Sequence, residues 1–342
     1  MPHNILVVQT AFIGDVILTI PLIKAVKKKF SGSKLSVLVI PQSAELLKNN
    51  PYVDEVITYD KRGQEKSLNS FFQLVNRIKQ SKFDLALVPH RSYRSSFLVF
   101  LSKIPERIGF DKNQASFFLT KKIVYQKNWH EIDRNLSLIE SDGLSVEEKY
   151  PELFPTPEDF GKVERFLAEN KINADDVLIA IAPGSTWATK RWIEAGFAKV
   201  ADWLIQKEKM KVVFTGSRED EQLMNSIYNL MEVKPVNACG KLSLLESAAL
   251  LSKCKLLLAN DTAPVHMAVA MKTPVVEIYG STVPAFGFYP YGDGHLIIEK
   301  NLPCRPCGIH GHQKCPLGHF KCMKEISPEE VYQAVTKKLT EF

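Results

Sequence analysis

Residues 5–30 read ILVVQTAFIGDVILTIPLIKAVKKKF and decide the fold class. The apolar run at residues 5–8 is typical of a buried parallel strand. From Val16 onward, apolar residues recur every three or four positions, which predicts a helix, and Lys27, Lys28 and Lys29 complement the negative end of its dipole. A strand followed directly by a helix is the unit from which parallel sheets with right-handed crossovers are built.

The same alternation continues on both sides of a proline-rich middle. Further strands are predicted at 35–40, 53–59, 83–89, 177–182, 211–215, 255–259 and 274–278. Helices are predicted near 43–48, 68–79, 129–143, 192–207, 218–231, 243–252 and 264–271. Pro151, Pro155 and Pro157 cannot continue a helix or a central strand, so residues 145–160 are predicted to link two domains.

We therefore predict an α/β protein with two Rossmann-like halves. The predicted boundaries are 1–155 for the first domain, 156–325 for the second and 326–342 for a C-terminal helix. That helix is indicated by Ser327 and Glu330, which have the spacing of a capping box, with Pro328 at the first helical position. Two such halves suit a two-domain dehydrogenase, a periplasmic binding protein or a nucleotide-sugar transferase.

The composition excludes several classes of protein. Of 342 residues, 45% are hydrophobic and 24% are charged, which is the mix of a globular protein rather than of a disordered or fibrous one. No apolar run approaches the roughly 20 residues of a membrane span, and the N-terminus lacks the basic region of a signal peptide. We therefore expect a cytoplasmic protein. The net charge of +6 permits an anionic partner without demanding nucleic acid.

The loop after the first strand carries one carboxylate, Asp15, at the start of the helix. It lacks the glycine pattern of a dinucleotide-binding fingerprint. Two interpretations remain open for Asp15. It caps the helix and complements its dipole, or it is a general base in a ligand-binding cleft, because ligands of open α/β sheets bind beyond the carboxyl ends of the strands.

The loop at residues 182–192 predicts a phosphate or diphosphate site. Ser185 and Thr186 are small hydroxyl residues ahead of a helix, and Lys190 and Arg191 add positive charge. The order of residues is not that of a Walker A loop. A solvated basic turn is the alternative.

The loop at residues 259–266 again ends a strand and opens a helix. Asp261 can accept hydrogen bonds from sugar hydroxyls, and His266 lies about one turn into the helix, as a ligand contact or as a core histidine. After another strand, Glu219 or Asp220 is placed to bind ribose hydroxyls, unless it only begins a helix.

Four segments together resemble glycosyltransferase family 9, the bacterial heptosyltransferases of lipopolysaccharide core synthesis. They are GDVILTIP at 14–21, PGSTWATKRW at 183–192, NDTAPVH at 260–266 and PVVEIYGST at 274–282. They occur in order over most of the chain. The KRW segment and the cysteine-bearing tail are more similar to the branch of the second heptosyltransferase than to that of the first. Ala263 stands where the family typically has glycine.

The resemblance implies a GT-B architecture, in which two Rossmann-like domains face a central cleft. It implies that the N-terminal half binds the acceptor, the C-terminal half binds ADP-L-glycero-D-manno-heptose, and the anomeric carbon is inverted without a divalent metal or cofactor. Asp15 would then be the base, and Lys190 would stabilise the departing ADP. The implied donor-binding residues are Ser185, Thr186, Lys190, Asp220, Leu242, Asp261, Thr262 and His266.

The implied acceptor is Kdo2-lipid A or heptosyl-Kdo2-lipid A, which is strongly anionic. The candidate acceptor-binding residues are Lys61, Arg62, Arg91 and Arg94, since arginine suits bidentate contacts to carboxylate and phosphate. A basic face would also hold the enzyme peripherally on the inner face of the cytoplasmic membrane. Two alternatives remain: a family member that uses another nucleotide sugar, and a non-catalytic protein that binds a nucleotide or glycolipid.

The tail carries four of the six cysteines, at positions 304, 307, 315 and 322. Four thiols with this spacing can close a tetrahedral zinc site. The other interpretation is a packed tail with free thiols that orders the rim of the cleft. We predict no metal ligands for the reaction itself, because the sequence has no Asp-x-Asp pair.

Overall fold

The computed structural model describes residues 2–140 and 146–341. The chain divides into two compact units, Met1–Phe154 and Pro155–Phe342. Each unit contains a parallel six-stranded sheet in its described residues, with helices on the connections. Among the described residues, no helix is long and apolar enough to cross a membrane.

The first unit alternates strands and helices from its start. Strands β1 to β6 span Asn4–Val8, Lys34–Val39, Glu55–Thr58, Leu85–Val88, Glu106–Phe110 and Lys121–Ile123. Helices α1 to α5 span Ile13–Lys29, Pro41–Ala44, Leu68–Gln80, Tyr93–Leu101 and Glu131–Glu140. The strand order is β3-β2-β1-β4-β5-β6, so the direction of winding reverses between β1 and β4.

The second unit repeats this topology. Strands β7 to β12 span Leu178–Ala182, Lys211–Phe214, Val236–Asn237, Leu256–Asn260, Val275–Tyr279 and Leu296–Glu299. Helices α6 to α12 span Pro157–Glu169, Glu194–Gln206, Glu221–Leu230, Leu244–Lys253, Ala263–Ala270, Lys321–Lys324 and Pro328–Leu339. The order β12-β11-β10-β7-β8-β9 reverses between β7 and β10. Both units therefore have the strand order of a doubly wound dinucleotide-binding sheet.

The central strands are apolar along their length because helices cover both faces of each sheet. All residues of β4, β7 and β10 are buried, and β1 has four buried residues after Asn4. Helix α12 packs its buried Val331 and Val335 into the core of the second unit. One half of its predicted capping box is confirmed, since the Ser327 hydroxyl accepts a hydrogen bond from the Glu330 amide at 3.1 Å, whereas the Glu330 carboxylate accepts from Lys300 at 2.6 Å.

The predicted linker at 145–160 is wrong at its C-terminal end. Helix α6 begins at Pro157, inside that range, with Thr156 as its N-cap and Asp159 completing the capping box. Proline fits the first helical position because the amide hydrogen that it lacks has no partner there. The predicted end of the preceding helix at Gly143 lies outside the described residues.

Candidate active site

Four of the segments singled out in the sequence lie at the points where the strand order reverses. Asp15 follows β1, the residues from His90 to Arg94 follow β4, and the loops at 183–192 and 261–266 follow β7 and β10. The crevice beyond the carboxyl ends of such strand pairs is the usual ligand position in open α/β sheets. Each unit therefore carries its candidate residues where its own topology favours binding.

Asp15 makes the contact that the helix-cap interpretation requires. Its half-buried carboxylate accepts a hydrogen bond from the Phe12 amide at 3.2 Å. The Thr19 hydroxyl donates to the Asp15 carbonyl at 2.7 Å, and the Gln9 side chain donates to the same hydroxyl at 3.0 Å. A carboxylate has several lone-pair positions, so the cap does not exhaust its capacity to accept a proton.

Of the predicted acceptor cations, Lys61 feels the charge of Asp15 directly, and the Arg62 guanidinium lies 5.1 Å from the ring centre of Phe12, whose amide contacts the Asp15 carboxylate. Burial, the largest cause, and the charges of Arg62 and Arg94 together lower the pKa of Lys61 to about 8, and the charge of Asp15 opposes them. The guanidinium of Arg91 lies 4.1 Å from the ring centre of Tyr125. Burial raises the pKa of Tyr125, the charge of Asp15 adds to this shift, and the charge of Arg91 opposes it. The structure thus places Lys61 near the Asp15 carboxylate, and Arg62, Arg91 and Arg94 beside groups that neighbour one of the two.

His90 lies within this group as a neutral side chain. Its Nδ1 is 3.2 Å from the Thr10 hydroxyl and 3.3 Å from the Ser95 hydroxyl. Burial and the neighbouring Lys61 and Arg91 lower the pKa of His90 to about 3. It can therefore exchange hydrogen bonds with hydroxyl groups without adding to the positive charge.

Sequence reasoning missed a buried ion pair on α5. Arg134 is 1% exposed, and it donates to the Glu131 carboxylate at 2.8 Å and to two carbonyls of the preceding loop. Burial and the charge of Asp15 raise the pKa of Glu131 to about 7, while Arg134 opposes the shift. The run HEIDRN at 130–135 was the available signal, because it puts charges on the face that packs against α1.

The second unit joins Lys190 to Asp261. The Lys190 ammonium lies 2.6 Å from one carboxylate oxygen of Asp261, with side chains that are 14% and 9% exposed. The same oxygen accepts a hydrogen bond from the Thr282 hydroxyl at 2.6 Å. Asn260 holds both ends of the phosphate-type loop, since it accepts from the Trp192 amide and donates to the Pro183 carbonyl.

The hydroxyl residues of this loop have different exposures. Ser185 is buried, and its carbonyl accepts from the Arg191 side chain at 2.8 Å, whereas Thr186 is exposed. Thr189, which sequence reasoning did not select, is buried, and its hydroxyl lies 2.9 Å from that of Ser281. The predicted loop therefore brings the Thr189 hydroxyl next to that of Ser281, which follows β11, in addition to its basic residues.

Asp220 lies directly against the same loop. A Cβ atom at Gly184 would overlap the Asp220 carboxyl group. The carboxylate also accepts from the Ser217 amide at 2.9 Å, so the helix-start interpretation has its contact as well. The structure brings Asp220 to the loop while it caps the first turn after β8.

The remaining donor candidates are less directly placed. Thr262 stands at the N-cap position of α10, but its hydroxyl donates to the Asn260 carbonyl at 3.3 Å instead of capping the helix, and His266 is buried one turn later in that helix. Leu242 is half-buried on the loop between β9 and α9. Nothing in these positions distinguishes ligand contact from packing for His266 and Leu242.

Glu277 is a second buried acid that sequence reasoning did not select. It is 0% exposed in β11, and neither carboxylate oxygen has a hydrogen-bond partner among the described residues. Burial raises the pKa of Glu277 well above its usual range, the charge of Asp261 adds to the shift, and Lys190 opposes it. The site thus contains a carboxyl group that burial favours in its neutral form.

The cysteine tail contacts the loop after β7. Thr189 and His312 form two hydrogen bonds: the Thr189 hydroxyl accepts from the His312 amide at 2.8 Å, and the Thr189 amide donates to the His312 carbonyl at 3.0 Å. The Gln313 side chain donates to the Thr186 carbonyl. Gly311, with a φ of +85°, allows this close approach. All six cysteines are free thiols, and within the described residues no three His, Cys, Asp or Glu side chains converge to hold a metal.

Comparison with known proteins was made on sequence and on structure. The sequence model of glycosyltransferase family 9 (heptosyltransferase) matches residues 71–319. The chain is 25% identical to a lipooligosaccharide heptosyltransferase 2 of Campylobacter jejuni over 333 residues, covering 96% of this chain and 97% of that relative. A crystal structure of a family 9 glycosyltransferase from Veillonella parvula matches with a TM-score of 0.88 and 26% identity, covering 99% and 98% of the two chains.

A second solved structure supports the fold. The E. coli ADP-heptose lipopolysaccharide heptosyltransferase II matches with a TM-score of 0.81 and 22% identity, covering 99% of each chain. Two doubly wound parallel units with these structural likenesses give an α/β fold of the GT-B type, as the motifs predicted. Because the family model covers well over half of the sequence, the chain belongs to glycosyltransferase family 9, the heptosyltransferases, and is a glycosyltransferase.

Proposed function

We propose that this enzyme transfers heptose from ADP-L-glycero-D-manno-heptose to the Kdo/heptose inner core of lipopolysaccharide, with inversion and without a divalent metal. The observation that carries the proposal is the position of Lys61 near Asp15 in the first unit, with Arg62, Arg91 and Arg94 beside neighbouring groups. A carboxylate in that position suits a base that acts on a hydroxyl of a strongly anionic acceptor. The heptosyltransferase names of its near-full-length relatives support the sugar donor.

Asp15 is proposed to take the proton from the acceptor hydroxyl while the hydroxyl oxygen attacks the anomeric carbon. The new carbon–oxygen bond forms as the bond to the diphosphate breaks, and the electron pair leaves with ADP. Attack opposite to the leaving group inverts the anomeric carbon. Positioned bases of this kind typically contribute about 10²–10⁴-fold to rate.

Lys190 is proposed to stabilise the charge that develops on ADP. Its ammonium, the Ser185 and Thr186 hydroxyls and the amides of the following turn are preorganised donors of the type that stabilises leaving groups. Asp261 would hold Lys190 in place and accept from a sugar hydroxyl, and Asp220 would accept from the ribose. Thr262, His266 and Leu242 would complete the donor contacts. In this arrangement, protein groups neutralise the negative charge of the diphosphate, which a metal ion would otherwise neutralise.

Lys61, Arg62, Arg91 and Arg94 are proposed to bind the carboxylates and phosphates of Kdo2-lipid A or its heptosylated form. Their positive charge would also favour a peripheral position on the anionic inner face of the cytoplasmic membrane. The first unit would then bind the acceptor and the second the donor, with the domain boundaries at 155 and 325 that the sequence indicated.

The deciding experiment is a panel of nucleotide sugars assayed with Kdo2-lipid A that carries or lacks its first heptose. We expect ADP release only with ADP-heptose and only with one of the two acceptors, unchanged by EDTA, and an inverted anomer by NMR of the product. Turnover with another donor sugar instead would support the alternative specificity. Binding of ADP-heptose without transfer to any acceptor would support a non-catalytic binding protein.

The base assignment is tested with Asp15→Asn, which keeps an oxygen to accept from the Phe12 amide. We expect turnover to fall about 10²–10⁴-fold with donor affinity nearly unchanged. Asp159→Asn is the matched control, because Asp159 accepts from the Thr156 amide at 2.7 Å in the same capping role on α6. Full activity of the Asp15→Asn enzyme would show that Asp15 is not the base.

A further inference from the structure

One side of the first unit presents a continuous surface of aromatic rings. The aromatic patch, as we call it, comprises Phe72, Tyr93, Phe97, Phe100, Phe117 and Phe118. Phe118 lies at its centre, with ring centres 4.6 Å from Phe100, 5.3 Å from Phe97 and 4.2 Å from Phe117. Tyr93 lies 5.5 Å from Phe97. The buried Phe71, 6.0 Å from Phe97 and 5.8 Å from Phe72, connects the last ring to the others.

Four of the six rings of the patch are exposed although they contact other rings, and Phe97 and Phe118 are half-buried. Phe72 is 50%, Tyr93 45%, Phe100 42% and Phe117 67% exposed. Beneath them, α3 and α4 already bury a complete core against the sheet, which includes Phe71, Leu74, Leu98 and Val99. Single exposed apolar side chains are normal, whereas a contiguous set of large ones indicates an interaction surface. The fold of the unit therefore does not account for these rings.

The same part of the sequence has a larger net positive charge than the whole chain. Residues 61–125 contain 13 lysines and arginines but only four acidic residues, whereas the whole chain has a net charge of +6. At the patch itself, the Arg107 guanidinium lies 5.8 Å from the ring centre of Phe100. Lys103 and Arg107 also border a cavity of about 420 Å³ that Phe100, Leu101, Ile104 and Pro105 line. Aromatic rings bordered by cations match the interface of an anionic bilayer.

We propose that the aromatic patch docks the enzyme on the surface of an anionic phospholipid bilayer. The rings enter the headgroup region, and Lys103, Arg107 and Arg94 contact lipid phosphates. The proposal rests on the proposed function in one respect, since a membrane glycolipid as acceptor gives the docking its purpose. A second copy of the chain is a less favourable occupant, because a symmetric contact would bring the two basic surfaces together.

The apolar contribution is tested by sedimentation with vesicles of phosphatidylcholine alone or with 30% phosphatidylglycerol. We expect the wild-type enzyme to bind mainly the anionic vesicles, and the double variant Phe72→Ser/Phe117→Ser to bind roughly tenfold more weakly. Both side chains are half or more exposed, so the fold is expected to tolerate the change. Leu230→Ser on α8, 54% exposed in the second unit, is the matched control and should bind like wild type.

The electrostatic contribution is tested with Lys103→Glu. We expect a loss of roughly tenfold in binding to anionic vesicles, and 0.5 M salt should remove the difference. Lys272→Glu is a close control, because Lys272 is also exposed and has nearly the same left-handed backbone conformation, with φ of 63° against 57° at Lys103. Equal losses for the two variants would show a general charge effect and would overturn the docking surface.

Assays with a water-soluble, deacylated acceptor separate this inference from the proposed function. We expect the patch variants to keep wild-type turnover on it and to lose turnover only on acceptor embedded in vesicles. Equal losses on both acceptors would make the patch part of the acceptor site. A change in molar mass by light scattering would make it a contact between copies. An enzyme that transfers heptose but ignores anionic vesicles would refute docking alone, whereas one that binds vesicles and transfers nothing would refute the function alone.

Discussion

The ammonium of Lys190 and the carboxylate of Asp261 lie 2.6 Å apart at neighbouring strand ends of the second unit, both largely buried. Thr282 donates to the same carboxylate oxygen. This short contact holds the Lys190 ammonium in place at the loop after β7. A lysine held in this way needs little reorganisation when charge develops beside it.

Removing one member of this pair is expected to affect stability and activity together. Lys190→Met leaves the Asp261 charge buried without its partner, so we expect the free energy of unfolding to fall by about 3 kcal/mol. Denaturant unfolding measures this loss, and ADP release measures turnover. The double variant Lys190→Met/Asp261→Asn should regain most of the stability but not the turnover. Recovery of turnover would contradict the role of Lys190 toward the leaving group.

Glu277 should make the stability of the second unit depend on pH. Burial and the charge of Asp261 raise its pKa in the folded state, so the folded chain keeps a proton that the unfolded chain releases above about pH 4.5. Stability is therefore lost as the pH rises from that value toward the folded-state pKa. Glu277→Gln removes this loss, so the variant should be more stable than wild type at pH 7.5 and equal to it at pH 4.

Urea unfolding from pH 4 to pH 8 measures the effect of Glu277→Gln. Glu194→Gln, at an exposed position of α7, is the control and should stay within about 0.5 kcal/mol of wild type throughout. If Glu277→Gln is destabilising at pH 7.5, the carboxyl group is ionised in the folded protein and interacts with Lys190 as an anion.

The sequence predicts the sheets well where strands are central, and less well at the edges. Strands β1, β4, β7 and β10 are apolar runs that only a buried parallel strand explains. The edge strand β6, Lys121–Ile123, and its neighbour β5, Glu106–Phe110, were not predicted. Both carry charged residues, which interrupt the apolar pattern; the edge strand β6 tolerates them because one of its sides faces no partner strand. Helix α4 was missed because Ser95 and Ser96 interrupt its apolar pattern.

The residues of the candidate site also differ in how far the sequence predicts their contacts. Lys190 and Asp261 can be paired from the sequence, since the carboxyl ends of parallel strands meet at one edge of the sheet. The Glu131–Arg134 pair has the i,i+3 spacing of a helix, but its burial could not be predicted, because it depends on α5 returning to pack against α1 over a separation of more than 100 residues. Glu277 could not be selected from the sequence for another reason. It lies within the apolar run of β11, whose pattern predicts only an ordinary core strand.

The affinity for an anionic acceptor is expected to fall as the pH rises through about 8. Burial and the neighbouring Arg62 and Arg94 lower the pKa of Lys61 to about 8, so its ammonium is charged at pH 7 and neutral at pH 9. The KM for acceptor should therefore rise over this interval. Lys61→Arg keeps its charge and should remove the step. Lys66→Arg, at an exposed position nearby, should retain it. A step that persists in Lys61→Arg would assign the titration to another group.

Gly184 and Asp220 provide a test of whether Asp220 binds the donor or only caps a helix. A Cβ atom at Gly184 would overlap the Asp220 carboxyl group, so Gly184→Ala must displace it and should raise the KM for donor roughly tenfold. Asp220→Ala alone removes the contact to the Ser217 amide, a cap worth about 1 kcal/mol of stability. If Asp220 also accepts from the ribose, Asp220→Ala should raise the donor KM to a similar extent.

The double variant Gly184→Ala/Asp220→Ala separates the steric effect from the chemical one. Once the carboxyl group is absent, the added methyl group has room, so the two changes should be strongly non-additive and the double variant should resemble Asp220→Ala. The comparison uses donor KM and urea unfolding on the four proteins of the cycle. A normal donor KM in Asp220→Ala, with only the loss of stability, would leave Asp220 as a helix cap. Additive losses would show that the methyl group disturbs the loop backbone itself rather than Asp220.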